Sequence, residues 1–212
     1  MTHPAPGAAL AAAVLLALAP LGSGAAAAAA ASAAAAGPGV HVLGSPKAPV
    51  TVVEYASVGC PHCATWANTV FPAFRKAYID TGKVRFEFHE MITGDTELAV
   101  AGFLVADCAP PDRYFQVVDA IFADQEGVAR GGGVALLKLA EGAGLTPAQF
   151  DACLTDPQAL KALQARTDKD AAAHGVDATP TFFVDGARLQ GEANLEGLAA
   201  AIARAQHPPH GG

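Results

Sequence analysis

The first charged side chain is Lys47: no Asp, Glu, Lys or Arg precedes it. Basic residues are also few. Thirteen Lys and Arg stand against 20 Asp and Glu, for a formal net charge of -7, and they are scattered with no cluster that could follow a phosphate backbone. Nucleic acid is therefore excluded as a partner. Four cysteines are too few for a disulfide-dense mini-protein. They divide more naturally into two for chemistry and two for structure. There is no internal repeat, and the low-complexity sequence is confined to an alanine tract near the N-terminus. What is plentiful is apolar material: 52% hydrophobic residues against 16% charged, in 212 residues. That fits one domain, or one domain with an insertion, around a proper core, and excludes a disordered chain.

The uncharged start has internal order. Ala8 to Leu21 (AALAAAVLLALAPL) has the length of a signal-peptide apolar region, and Ala25 to Ala36 offers many small-x-small cleavage sites. Residues 1–36 are therefore expected to be a signal peptide and alanine-rich segment, and residues 37–212 the mature domain. The expected location is periplasmic or otherwise extracytoplasmic. The n-region offers only His3 and the terminal amine as positive groups, so a membrane anchor left uncleaved is the alternative. Against a spanning helix, Gly22-Ser23-Gly24 interrupts before the roughly 20 apolar residues that it needs.

Beyond Lys47 the pattern reads as strands around a long helical middle. Val50 to Ser57 (VTVVEYAS) is β-branched and too short for a buried helix, which predicts a central strand. Cys60-Pro61-His62-Cys63 follows at once. Trp66, Val70, Phe71, Phe74 and Tyr78 then recur at helical spacing, with Pro72 as a kink. Lys83 to Ile92 alternates as a second strand. Helical patterns fill about 95–174, with a capping box at Thr146 to Gln149 and a helix start at Asp156-Pro157. Within them Glu126 to Gly133 (EGVARGGG) reads as a loop; no lysine and Ser or Thr follow that would make it a phosphate cradle. Thr179 to Gly191 is two short strands joined at Asp185-Gly186, and Leu195 to Ala205 is a closing helix.

A CxxC alone leaves three possibilities: half a zinc site, a structural staple, or a redox centre. The second half of a zinc site is missing, because Cys108 and Cys153 are far apart and no histidine pair has ligand spacing. His41, His89 and His174 read as surface or satisfied core residues. Redox chemistry is favoured, and no metal is expected.

Strand, CxxC, helix, strand, helical insert, proline-led hairpin and final helix is the order of an α/β thioredoxin-like fold with an inserted helical subdomain. From about Val40 to Ala205 the sequence resembles the DsbA family of exported thiol-disulfide oxidoreductases. Cys60-Pro61-His62-Cys63 is identical to that family's characteristic tetrapeptide, and Thr179-Pro180 stands where its cis-proline is found.

The resemblance implies roles. Cys60, at a helix N-terminus, is the nucleophile, its thiolate favoured by unpaired amides and the helix dipole. His62 when protonated lowers its pKa further. Cys63 is the buried resolving thiol, and Glu54 the buried acid beneath it, able to relay its proton; a half-exposed strand carboxylate is the plain alternative. The backbone of Thr179, before cis-Pro180, pairs with an extended substrate strand; an ordinary trans turn is the alternative. Export together with the resemblance implies a Cys108–Cys153 disulfide, the alternative being two buried free thiols.

No bound cofactor is implied. The expected partners are reduced exported polypeptides as substrates and a membrane oxidase of the DsbB type, with the protein itself a monomer. Threonine before the proline departs from the aliphatic residue of the family's best-known oxidases and is familiar from its isomerase branch. Disulfide donation is therefore the primary expectation, disulfide isomerase or reductase activity the alternative within the same chemistry, and a redox-inert chaperone or binding module the alternative outside it.

Overall fold

The computed structural model describes residues 1–3 and 39–207. The apolar stretch Ala8 to Leu21 and the alanine tract Ala25 to Ala36 lie outside them. Among the described residues no helix is long and apolar enough to cross a membrane.

The centre is a five-stranded mixed sheet in the order β1-β3-β2-β4-β5. Its strands are β1 Val40–Leu43, β2 Val50–Ala56, β3 Val84–Glu90, β4 Thr181–Val184 and β5 Ala187–Arg188. β2 is central, parallel to β3 and antiparallel to β4. Its β-branched residues suit a pleated surface covered on both faces. The register sets Glu54 opposite Phe88 of β3 and Phe182 of β4, so a carboxylate faces into an aromatic layer. Asp185 and Gly186 make the turn of the β4–β5 hairpin, both at positive φ.

After β2 the chain enters α1 (Pro61–Thr69). The helix stops there because Pro72 has no N–H to donate and its ring opposes the carbonyl four residues back. A short turn, α2 (Phe71–Phe74), runs on into a π-helical turn over Arg75–Ile79. The Trp66 ring packs against Phe182 at 4.7 Å and against Phe71, Phe74 and Phe86, and its indole N–H donates to the Ala193 carbonyl at 2.7 Å. These contacts fasten α1 over the face of the sheet that carries Glu54.

Between β3 and β4 come five helices: α3 (Thr96–Cys108), α4 (Tyr114–Ala123), α5 (Gln125–Gly142), α6 (Pro147–Thr155) and α7 (Pro157–His174); α8 (Leu195–Gln206) closes the chain. The Thr146–Gln149 capping box starts α6, and Asp156 caps α7. The tract Glu126 to Gly133 is not a loop: it lies within α5. Val128, Leu136 and Ala140 are buried at helical spacing on either side of the glycines, and Asp124 caps the start. Gly132, at φ 55 and ψ -141, takes a conformation open to glycine and kinks the helix. Sequence reasoning also missed β1. Only four residues long, it pairs antiparallel with β3 at the edge of the sheet.

The second face of the sheet is covered by the C-terminal half of α7. Tyr55, Met91 and Val176 form a small cluster there with Ala171 and Phe183. Polar ties flank it: His89 Nδ1 lies 2.7 Å from Asp170 Oδ2, and Arg166 Nε donates to Glu90 Oε2 at 2.7 Å.

Candidate active site

Cys60 is the N-cap of α1, in extended conformation with φ -96 and ψ 120. Pro61 follows at the first helical position, which loses no hydrogen bond, because that N–H has no intrahelical partner. The backbone therefore leaves free amides around the Cys60 sulfur. Cys63, one turn on, is fully buried at 0% exposure, whereas Cys60 keeps 6%. Both are thiols in this structure.

Their acidities are pushed apart. The Cys60 pKa is lowered to about 5: the bond from the Cys63 thiol is the largest cause, burial opposes it, and the Thr179 hydroxyl and the amides of Cys63 and His62 add to it. Cys63 is raised instead, by the same Cys60 bond, by burial and by the charge of Glu54. The pair thus joins a thiol that ionises readily to one that holds its proton, the arrangement that a nucleophile and a resolving thiol require.

The remaining expected residues sit around the pair. The Thr179–Pro180 peptide is cis, and the Thr179 carbonyl accepts from Cys60 Sγ at 3.4 Å. Glu54 is buried on β2, its carboxyl well above the usual range through burial first, then the negative charges of Cys60 and Asp119. A cavity of about 10 Å³, at the limit of one water, separates Glu54 from Asp119 among the Trp66, Phe71, Phe86 and Phe88 rings. His62 is exposed, and what reaches the Cys60 sulfur is its backbone amide. Cys108 and Cys153 stand apart from the site, joined to each other by a disulfide across a separation of 45 residues.

Three contributors went unread in the sequence. Gln125, at the start of α5, donates to the carbonyls of Val58 at 2.6 Å and Cys60 at 3.1 Å, tying the helical insertion to the dithiol loop. Ser57 accepts from the Gly59 amide and donates to the Thr93 carbonyl at 2.9 Å. Thr93 Oγ1 lies 2.6 Å from Thr179 Oγ1. All three act across long stretches of chain, and no local pattern marks them.

His41, Glu90 and Asp107 place possible ligand atoms within 4.8 Å of one another. Arg166, however, already bridges Glu90 and Asp107 and supplies positive charge there. His41 Nε2 stands 3.4 Å from each carboxylate without a well-directed hydrogen bond. The cluster reads as an ion-pair network, not a metal centre.

Fold and site together define a class, the thioredoxin-fold dithiol proteins. A family model described as Thioredoxin matches residues 36–204. A Rickettsia typhi protein named as a protein-disulfide oxidoreductase is 32% identical over 167 residues, covering 77% of this chain and 61% of its own length. The chain thus spans about three-fifths of the curated relatives that it matches first. Among solved structures, Wolbachia pipientis α-DsbA1 superposes with a TM-score of 0.70 at 25% identity, covering 79% of this chain and 91% of that one. A protein-disulfide isomerase from Novosphingobium aromaticivorans shares the fold at TM-score 0.68 and 24% identity, over 80% of this chain and 98% of that one. The chain belongs to the thioredoxin family, and within it resembles the Rickettsia protein-disulfide oxidoreductases in sequence and Wolbachia α-DsbA1 in structure.

Proposed function

We propose that the chain is an exported oxidant of protein thiols, donating the Cys60–Cys63 disulfide to folding polypeptides. A substrate thiolate attacks the Cys60 sulfur, the Cys60–Cys63 bond breaks, and Cys63 leaves as a thiolate that takes up a proton, with Glu54 the nearest acid. A second substrate thiolate then attacks the substrate sulfur of the mixed disulfide and expels Cys60. Two electrons pass from the substrate dithiol to the enzyme pair. A DsbB-type membrane oxidase returns the enzyme to its disulfide, and the protein works as a monomer. The Thr179 backbone beside Cys60 offers an extended substrate hydrogen bonds next to the reacting sulfur.

The observation that carries this direction is the acidity of Cys60. A thiol taken from 9.0 to about 5 favours the reduced pair at pH 7 by about a hundredfold, worth roughly 60 mV for a two-electron couple. A good leaving group also speeds the second exchange. His62 lends its amide to this stabilisation, and its side chain in the protonated form adds positive charge, a contribution that His62→Ala isolates. The test is the equilibrium with glutathione. A potential well above the roughly -270 mV of thioredoxin is expected; a value near it would make the protein a reductase. In parallel, Cys63→Ala should accumulate Cys60-linked mixed disulfides with exported proteins on a non-reducing gel.

A further inference from the structure

Three segments meet around Cys60: the dithiol loop, the cis-proline loop, and the turn between β3 and α3. The third is held with unusual tightness. Ser57 Oγ donates to the Thr93 carbonyl at 2.9 Å, and the Asp95 amide donates to the Gly59 carbonyl at 2.9 Å. Gly59 and Gly94 lie backbone against backbone: a methyl on Gly94 would run into the Gly59 carbonyl oxygen, and one on Gly59 into that of Asp95. Asp95 in turn accepts from the Leu98 amide at 3.1 Å, capping α3. Thr93 is therefore fixed relative to Cys60 by the Ser57 hydroxyl on its own carbonyl and by the backbone contacts of Gly94 and Asp95 beside it.

Its hydroxyl meets that of Thr179 at 2.6 Å, and Thr179 in turn is in contact with Cys60, its carbonyl 3.4 Å from the sulfur. Proton counting orders the three groups. Each threonine hydroxyl has one proton to give, and a thiolate only accepts. When Cys60 ionises, the S–H that met the Thr179 carbonyl is gone and the hydroxyl of the same residue is the side-chain donor that favours the thiolate, which leaves Thr93 as donor in the short contact between the threonines. When Cys60 is a thiol, its S–H points to the Thr179 carbonyl at 3.4 Å and the order of the two hydroxyls is free to reverse.

We infer that Thr93 is a positioning residue of the dithiol, donating its hydroxyl proton to Thr179 Oγ1 and thereby committing the Thr179 hydroxyl to the Cys60 thiolate. The inference rests on the thiol-disulfide exchange proposed for Cys60 and adds a residue from the β3–α3 turn to that chemistry. Donors aimed in advance at a developing anion avoid reorganisation when the charge forms. A hydrogen-bonded chain also polarises its last donor.

The experiment compares Thr93→Val, which keeps the shape and removes the hydroxyl, with Thr93→Ser, which keeps the hydroxyl. Thiolate absorbance titrated against pH gives the Cys60 pKa, and the glutathione equilibrium gives the potential. Thr93→Val should raise the Cys60 pKa by about one unit and shift the equilibrium up to about tenfold toward the disulfide form, roughly 30 mV; Thr93→Ser should stay near wild type. In a Thr179→Val background, Thr93→Val should add nothing, as expected of two residues acting in series.

An unchanged pKa in Thr93→Val overturns the inference, as does a shift that persists in the Thr179→Val background. If Thr93→Val does not fold, Thr93→Ala against Thr93→Ser makes the same comparison, and equal pKa values in those two overturn it. Failure of the underlying exchange chemistry is separable, because it would show in the wild type as absence of any equilibrium with glutathione.

Discussion

At Glu54 two costs oppose one another: the loss of water around a buried carboxyl, and the loss of the proton carrier proposed for Cys63 if that carboxyl is replaced. Among the described residues its side chain makes no hydrogen bond, and its aromatic surroundings favour the neutral acid. Replacing such a group by an apolar one of similar size gains about 1–3 kcal/mol. Glu54→Leu is expected to stabilise the oxidised protein by that order in urea unfolding and to slow the steps that move a proton at Cys63 by about a hundredfold. Trp66, the single tryptophan and one turn from Cys63, reports those steps by fluorescence. The pH dependence has a definite sign. With the folded carboxyl above its ordinary 4.5, the native state holds a proton that the unfolded chain releases, so stability falls as pH rises from 4.5 toward the folded value. In Glu54→Leu that slope should disappear.

At the level of elements, α7 is bound to the sheet by charge as much as by apolar contact. Burial pushes the imidazole of His89 down, but the hydrogen bonds and charges of Glu87 and Asp170 outweigh it, and its pKa is raised above 6.5. The stabilisation from protonated His89 is complete below 6.5 and is lost as pH rises through the folded value. Asp170→Asn is therefore expected to cost about 1–2 kcal/mol near pH 6 and progressively less at alkaline pH. Equal losses at pH 6 and pH 9 would remove the ion pair from the account. None of this was visible in the sequence, where His89 is one alternating strand residue among others and Asp170 lies 81 residues away. Elements with a strong local period were legible: the central strand, the helix opened by the CxxC, the capping box at Thr146 and the Asp185-Gly186 hairpin. β1 was missed because four residues carry too little periodicity. The first half of α5 was hidden by its glycines, although Val128 and Leu136 keep helical spacing through them. At the site, the dithiol and the proline were carried by a motif. Ser57, Thr93 and Gln125 were not, because their roles exist only once distant segments meet.

Considered whole, the molecule is a small mixed sheet with a helical insertion stapled within itself. The Cys108–Cys153 bridge ties the last residue of α3 to α6 across 45 residues of chain, a closure worth about 4 kcal/mol on the chain-entropy model. The double variant Cys108→Ala, Cys153→Ala should lose up to about that much stability in chemical denaturation while the Cys60 pKa stays near that of the wild type; a large pKa change would mean that the bridge acts on the dithiol. The opposite end of α3 meets the dithiol loop where Gly94 lies against Gly59 with no side chain between them. Alanine scanning locates function by subtracting atoms, and at these two positions it adds them. Gly133 and Gly142, with open space where a methyl would go, tolerate the same addition. A mutational map of this protein would thus find its sharpest intolerance beside the reactive sulfur at residues that possess no chemistry of their own.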